Sequence, residues 1–434
     1  MKTKPTLLFA ALCASYAFSA PAFSDEPPPR GDRPPRADRP AREPGQRREN
    51  KYTLEQAISD RAQLTTIAFS GLAFLTGSFT SDTFLPPGKV SDYFGFQYMR
   101  DVQDKGMGHN TDFLTRIANN MILVLTDAQR AQLVALGNSQ GSYLTWLAYQ
   151  RYPVIQAFCR QSSGEIPKGS AGLDKAAVTK AVSDIFALDG ELAYQRAVVC
   201  GGILNSLTAE QRAALAKLKF GDYTTWPEME EPLDKRTMSH GTHVLVMTYA
   251  SEMFSWYAGN VEADTYFCPE RHGTYFGGFY MKDAPAMGHH GYTISTSLTG
   301  DSGEQFLATL TPVQRERITS IVDLQRADLS EIVTIRRAIS TELRKCMTGA
   351  VADKAKVIAL SKRYGALDGE LSWLYATRFA EVAKSLTTDQ KAALVKLRGT
   401  EVAPQGVFVY SDLIATPAIG NTDYLFGTSG LVFR

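Results

Sequence analysis

Four copies of one five-residue pattern, Leu-Thr-x-x-Gln, constrain this chain more than anything else in it. They stand at Leu125-Thr126-Asp127-Ala128-Gln129, Leu207-Thr208-Ala209-Glu210-Gln211, Leu310-Thr311-Pro312-Val313-Gln314 and Leu386-Thr387-Thr388-Asp389-Gln390. Each reads as a capping box. The Thr hydroxyl accepts from the backbone N–H three residues on, and the Gln side chain reaches back to the Thr N–H. Pro312 falls at a first helical position, where its missing N–H costs nothing. A hydrophobic staple would need an apolar residue one position after the Gln, but Arg130, Arg212, Arg315 and Lys391 stand there. The Leu before each Thr is therefore expected to pack against another helix.

The second half of the chain repeats the first. Asp82-Thr83-Phe84 through Asp101 matches Asp264-Thr265-Tyr266 through Asp283 at an offset of 182, and Met107-Gly108-His109 matches Met287-Gly288-His289 at 180. The first boxes of each half differ by 185 and the last by 179, and Leu188-Asp-Gly-Glu-Leu192 recurs as Leu367-Asp-Gly-Glu-Leu371. So small a drift implies one unit copied and fused, with a pseudo-twofold relation between the copies.

In each copy an apolar helix ends near Gly77 or Gly259, and a Tyr/Gly-rich loop segment leads to a long helix at the first box. A Gly turn and a return helix follow, and a last helix starts at the second box. In the second copy Ile318, Ile321, Val322, Leu329, Ile332 and Val333 share a helical face. In the first copy Gly137, Gly141 and Pro153 are expected to kink the long helix. The expectation is an all-α fold, a tandem duplication of a long antiparallel helical hairpin unit. The Gly between Asp189 and Glu191, and between Asp368 and Glu370, permits close helix packing. The carboxylates two apart point to different sides and form no acid/base pair.

The boundaries follow from composition. Residues 1–24 pair Lys2 and Lys4 with an apolar run and small residues before Asp25, as a secretory signal peptide does. Residues 25–52 are Pro- and Arg-rich and read as a disordered linker. The first repeat then covers 53–225, a linker 226–239, the second repeat 240–403, and an extended tail 404–434. No other run is long enough for a transmembrane anchor. The formal charge of +1 becomes −1 once Lys2 and Lys4 are removed, which gives no basic surface for nucleic acid. The exported product is expected to be periplasmic or extracellular. Of five cysteines, Cys159, Cys200, Cys268 and Cys346 remain after the signal peptide and allow three disulfide connectivities. Straight helices would hold Cys159 and Cys200 roughly 40 Å apart. A Cys159–Cys346 bridge across the pseudo-axis, with Cys200–Cys268 as the second, is one of the pairings left open.

Met107 with His109, and Met287 with His289, combine thioether and imidazole, a set suited to copper and above all Cu(I). The alternative is a Gly turn whose His bonds a backbone carbonyl. His240 and His243 could join His272 in a zinc-type site. Residues 101–112 have part of the spacing of a calcium loop. Tyr143, Trp146, Tyr149 and Tyr152 line one stretch of the first long helix, either as a binding concavity or as ordinary packing. No phosphate loop, nucleophile elbow or catalytic triad order is visible.

Two Leu-Thr-x-x-Gln boxes at helix starts in an exported helical unit resemble the Spy/CpxP-type periplasmic proteins. Each copy looks like one subunit and the whole like a fused form of their cradle-shaped dimer. That resemblance implies an ATP-independent chaperone or envelope-stress adaptor whose partners are unfolded or envelope proteins. A copper-type metal-binding protein is the second reading. A structural or assembly subunit forming homo-oligomers through the aromatic loops is the third, and an enzyme the last.

Overall fold

The four threonines begin helices and the two long hairpins are built from them. The computed structural model describes residues 60–76, 112–218, 227, 229–230, 232–258, 304–398, 407–409, 412–414 and 417–428. The described residues are mainly helical. In chain order the helices are α1 (Asp60–Leu75), α2 (Asp112–Val124), α3 (Asp127–Ser163), α4 (Lys175–Asn205), α5 (Ala209–Leu215) and α6 (His240–Ala258). After these come α7 (Glu304–Ala308), α8 (Pro312–Thr319), α9 (Ile321–Arg344), α10 (Lys354–Ser385) and α11 (Thr388–Arg398). No described helix is long and apolar enough to cross a membrane.

All four boxes close, and each Gln does more than cap. Thr126 Oγ1 accepts from the Gln129 amide at 3.3 Å, while Gln129 Oε1 accepts from the Thr126 amide at 2.9 Å. Gln211, Gln314 and Gln390 make the same reciprocal pair with Thr208, Thr311 and Thr387. The amide nitrogen left over then joins the two boxes of a half. Gln211 Nε2 donates to Gln129 Oε1 at 2.8 Å and to the Val124 carbonyl at 2.7 Å. Gln390 Nε2 donates to Gln314 Oε1 at 2.7 Å and to the Thr309 carbonyl at 2.9 Å. A Glu could cap but could not donate, which is the physical reason for Gln at these positions. The basic residues in place of a staple also have a task. Arg130, Arg212 and Arg315 donate to the carbonyls of Leu125, Leu204 and Leu307, at the ends of the preceding helices. The four preceding leucines are buried.

The centre is the antiparallel crossing of α4 and α10. Lys175, at the start of α4, pairs with Glu370 at 2.6 Å and lies over the Trp373 ring. Lys354, at the start of α10, pairs with Glu191 at 2.7 Å and lies over the Tyr194 ring. Between them the backbones touch. A Cβ on Gly190 would come within 2.4 Å of Ser361 Oγ, and one on Gly369 within 2.8 Å of Thr179 Cα. No side chain fits at either place.

Around this crossing the first helix of each half sits on the opposite half. α1 packs on α10, α11, α9 and α7, whereas α6 packs on α2 and α3. Residues 50–434 accordingly form one compact unit rather than two successive domains. α1 approaches so closely that a Cβ on Gly71 would meet Phe306 at 2.8 Å and Phe379 at 3.1 Å.

Two expectations need correction. α3 is one continuous helix containing Gly137, Gly141 and Pro153, whereas the long helix expected in the second half divides at Ser320, between α8 and α9. Cys159, Cys200 and Cys346 are free thiols, so the Cys159–Cys346 bridge does not form. Cys346 is held in a 3₁₀ turn, Lys345–Thr348, against Gly201 of α4, while Cys159 is near the far end of α3. Cys268 lies outside the described residues. The tail is extended, as expected, and its strands pair. Val407–Val409 (β2) and Asp412–Ile414 (β3) form a hairpin, and Phe426–Thr428 (β4) pairs antiparallel with Ser170–Leu173 (β1), between α3 and α4.

Candidate functional site

The long helix α3 separates into an inner and an outer side. Leu133, Leu136, Gln140, Leu147, Arg151, Val154 and Phe158 are buried at helical spacing. Asn138, Ser139, Ser142, Tyr143, Trp146 and Gln150 face outward. Two of these are large aromatics one turn apart, Tyr143 at 53% and Trp146 at 50% exposure. Tyr149 is half-buried and Tyr152 is buried, so the four-residue aromatic stretch divides between solvent and core.

One end of this outer side forms a groove. An open concavity of about 440 Å³ lies between Ala131, Val134 and Asn138 of α3 and Pro232, Leu233 and Met238 of the segment before α6. Asn138 fixes that segment's helix, since its Oδ1 accepts from Thr242 Oγ1 at 2.8 Å. From Ala131 to Trp146 the helix rises about 22 Å, a span that suits an extended peptide of several residues. The groove lining is mainly apolar, and Asp127, Arg130 and Asp234 stand at its edge.

A second, buried site lies where α6 meets α4. Arg196 Nη1 pairs with Glu252 at 2.9 Å, with both side chains almost wholly buried, and the guanidinium lies over the Tyr249 ring. Tyr249 donates to Gln140 Oε1 at 2.7 Å. Cys200, Met253 and Trp256 complete the surround, and the Trp256 indole nitrogen has no hydrogen-bond partner. The space among these side chains totals about 170 Å³, and no part of it is wide enough for a water molecule. Burial pushes the Cys200 thiol up to about 12, with Arg196 pulling it down and Glu252 pushing it further up. It is a protonated thiol at neutral pH and no nucleophile. Cys159 is likewise pushed up to about 12 by burial.

Met107, His109, Met287, His289 and His272 lie outside the described residues, as does most of the 101–112 run. α6 leaves His240 exposed and buries His243. Among the described residues no group of three or more His, Cys, Asp or Glu is placed to hold a metal ion, so the His240–His243 site lacks a third such ligand there. The Arg196–Glu252 pair was not legible in the sequence as a site, although Glu252 is the one acidic residue of α6.

No protein-family model matches this chain, and neither a curated protein nor a solved structure matches it.

Proposed function

We propose that this protein is an exported binding protein that holds extended or unfolded polypeptide, in the manner of the ATP-independent Spy/CpxP-type chaperones and stress adaptors its capping boxes resemble. The observation that supports this reading is the outer side of α3, where Tyr143 and Trp146 are exposed further along the helix that lines an apolar groove. Aromatic side chains give large contact area at low entropic cost, and a peptide along the groove would meet them in sequence.

The test is aggregation of an unfolding client at stoichiometric protein and without ATP. Wild type is expected to suppress it, and Tyr143→Ser with Trp146→Ser to weaken suppression at least several-fold. Leu324→Ser, an exposed position on α9, should leave suppression unchanged. No suppression with several chemically different clients would end the reading.

A further inference from the structure

The two hairpin turns differ by an insertion. In the first, Gly164 closes α3 in the left-handed region and Asp174 caps α4 through the Ala177 amide. In the second, Gly349 and Asp353 hold the same roles, with Asp353 accepting from the Lys356 amide. Ten positions separate the pair in the first half and four in the second. The longer turn contains β1, and β1 is where the C-terminal segment docks.

The docked segment is held as a peptide ligand would be. β4 lies along β1, the Asp174 amide donates to the Leu425 carbonyl at 2.8 Å, and Ser170 Oγ donates to the Gly427 carbonyl at 2.6 Å. Arg160 reads the side chains. It donates to Thr422 Oγ1 at 2.9 Å and to the Asp423 carboxylate at 2.7 Å, and its guanidinium stacks 4.9 Å from the centre of the Phe426 ring. Leu425 is fully buried. The backbone carries the pairing and a few side chains set its register, as in strand addition to an open sheet edge. Among the described residues the second turn has no such occupant. The Glu342 carboxylate closes it by accepting from the Asp353 amide and from Lys345 and Lys356, and Val351 is left 85% exposed.

We propose that the inserted turn, with Arg160, is a docking site for an extended segment of another protein carrying an acidic residue followed two, three and four positions later by an aliphatic residue, an aromatic residue and glycine. The C-terminal strand is its displaceable occupant in cis. This site is separate from the outer side of α3, and its test does not depend on chaperone activity.

The probe is a labelled peptide of residues 417–428. Asp423→Arg with Leu425→Asp in the full chain should release the tail, and that variant is expected to bind the peptide at least tenfold more tightly than wild type. Adding Arg160→Glu should remove the gain, and a peptide carrying Asp423→Arg should recover binding to the Arg160→Glu chain. Equal peptide binding by wild type and the released variant overturns the proposal. So does loss of the helical spectrum in that variant, because the tail would then be part of the core. Hydrogen exchange on wild type gives an independent reading. The amides of β4 should exchange at least a hundredfold faster than those at the α4–α10 crossing, and equal protection overturns displaceability. A wild-type dimer that Arg160→Glu dissolves would assign the occupant to a second copy and overturn the cis assignment.

Discussion

The helix pairs α1/α10 and α6/α4 align in the sequence, at offsets of 182 and 179, yet they carry different chemistry. Where α6 meets α4 stand Tyr249, Met253, Trp256, Arg196 and Cys200, with a buried ion pair among them. At the corresponding positions where α1 meets α10 stand Ile67, Gly71, Phe74, Tyr375 and Phe379. There Phe74 and Phe379 pack ring to ring at 5.4 Å, and Tyr375 donates to Gln325 at 2.6 Å. Burial pushes the Tyr375 hydroxyl far above its usual range. The outer sides differ in the same spirit. Tyr143 and Trp146 on α3 correspond to Asp328 and Glu331 on α9, where Glu331 is held in a two-pronged pair by Arg363 at 2.7 Å. At these places one half has a buried ion pair inside and aromatics outside; the other has a Tyr–Gln hydrogen bond inside and carboxylates outside. A backbone arrangement tolerates either, provided each buried polar group finds a partner.

The largest expected effect comes from the buried pair. Glu252→Leu alone strands Arg196 and should destabilise the protein by about 3–5 kcal/mol. Glu252→Leu with Arg196→Met should recover most of that, because it removes both charges of the buried pair and replaces them with apolar side chains. Denaturant midpoints of both variants decide the matter, and a double variant as unstable as the single would show that the pair is not replaceable by packing.

A smaller effect probes what the halves share. Gln211→Glu and Gln390→Glu keep the cap acceptor but lose the donor that joins the boxes, and each should cost about 1–3 kcal/mol. Similar losses would show that both boxes are used alike. A loss in one half alone would mean that the second bond matters only there.

The smallest separates the turns. Its hydrogen bonds from Lys345, the Asp353 amide and Lys356 hold the Glu342 carboxyl down at about 2. A carboxyl lowered on folding stabilises above its unfolded value, near 4.3 for Glu, and loses that contribution as pH falls through its folded value. Wild type should therefore exceed Glu342→Gln in stability at neutral pH, and the gap should close between pH of roughly 4 and 2. A gap that persists at pH 2 would remove the carboxylate from the account of this turn.

Short-range chemistry was legible in the sequence and long-range choice was not. Thr126 and Gln129 are three residues apart, so their cap could be read directly, and the central Gly of Leu-Asp-Gly-Glu-Leu announced close packing. The second bond of Gln211 reaches Gln129, 82 residues away, and no local pattern encodes it. α3 continues as one helix through Pro153, a residue that propensity disfavours at a helix interior. The tail's hydrophobic residues suggested an extended cover, but its landing place depends on six extra residues in a distant turn. Cys346 could not be placed from spacing alone, since the 3₁₀ turn that holds it replaces a helix end. The aromatic stretch was visible at helical spacing, while its division between solvent and core depends on what covers α3.

The crossed placement of α1 and α6 sets a timetable for the growing chain. α1 is made first, yet its neighbours Phe306 and Phe379 lie about 240 and 300 residues downstream. At roughly 5–20 residues per second, α1 waits some 15–60 s for the last of them. Through that interval Ile67, Leu72 and Phe74, all destined for the core, await the second-half helices α7, α9, α10 and α11 on which α1 packs. Neither half can be finished before the other has been made, so the newborn chain itself passes through a long stage with apolar surface in need of shelter.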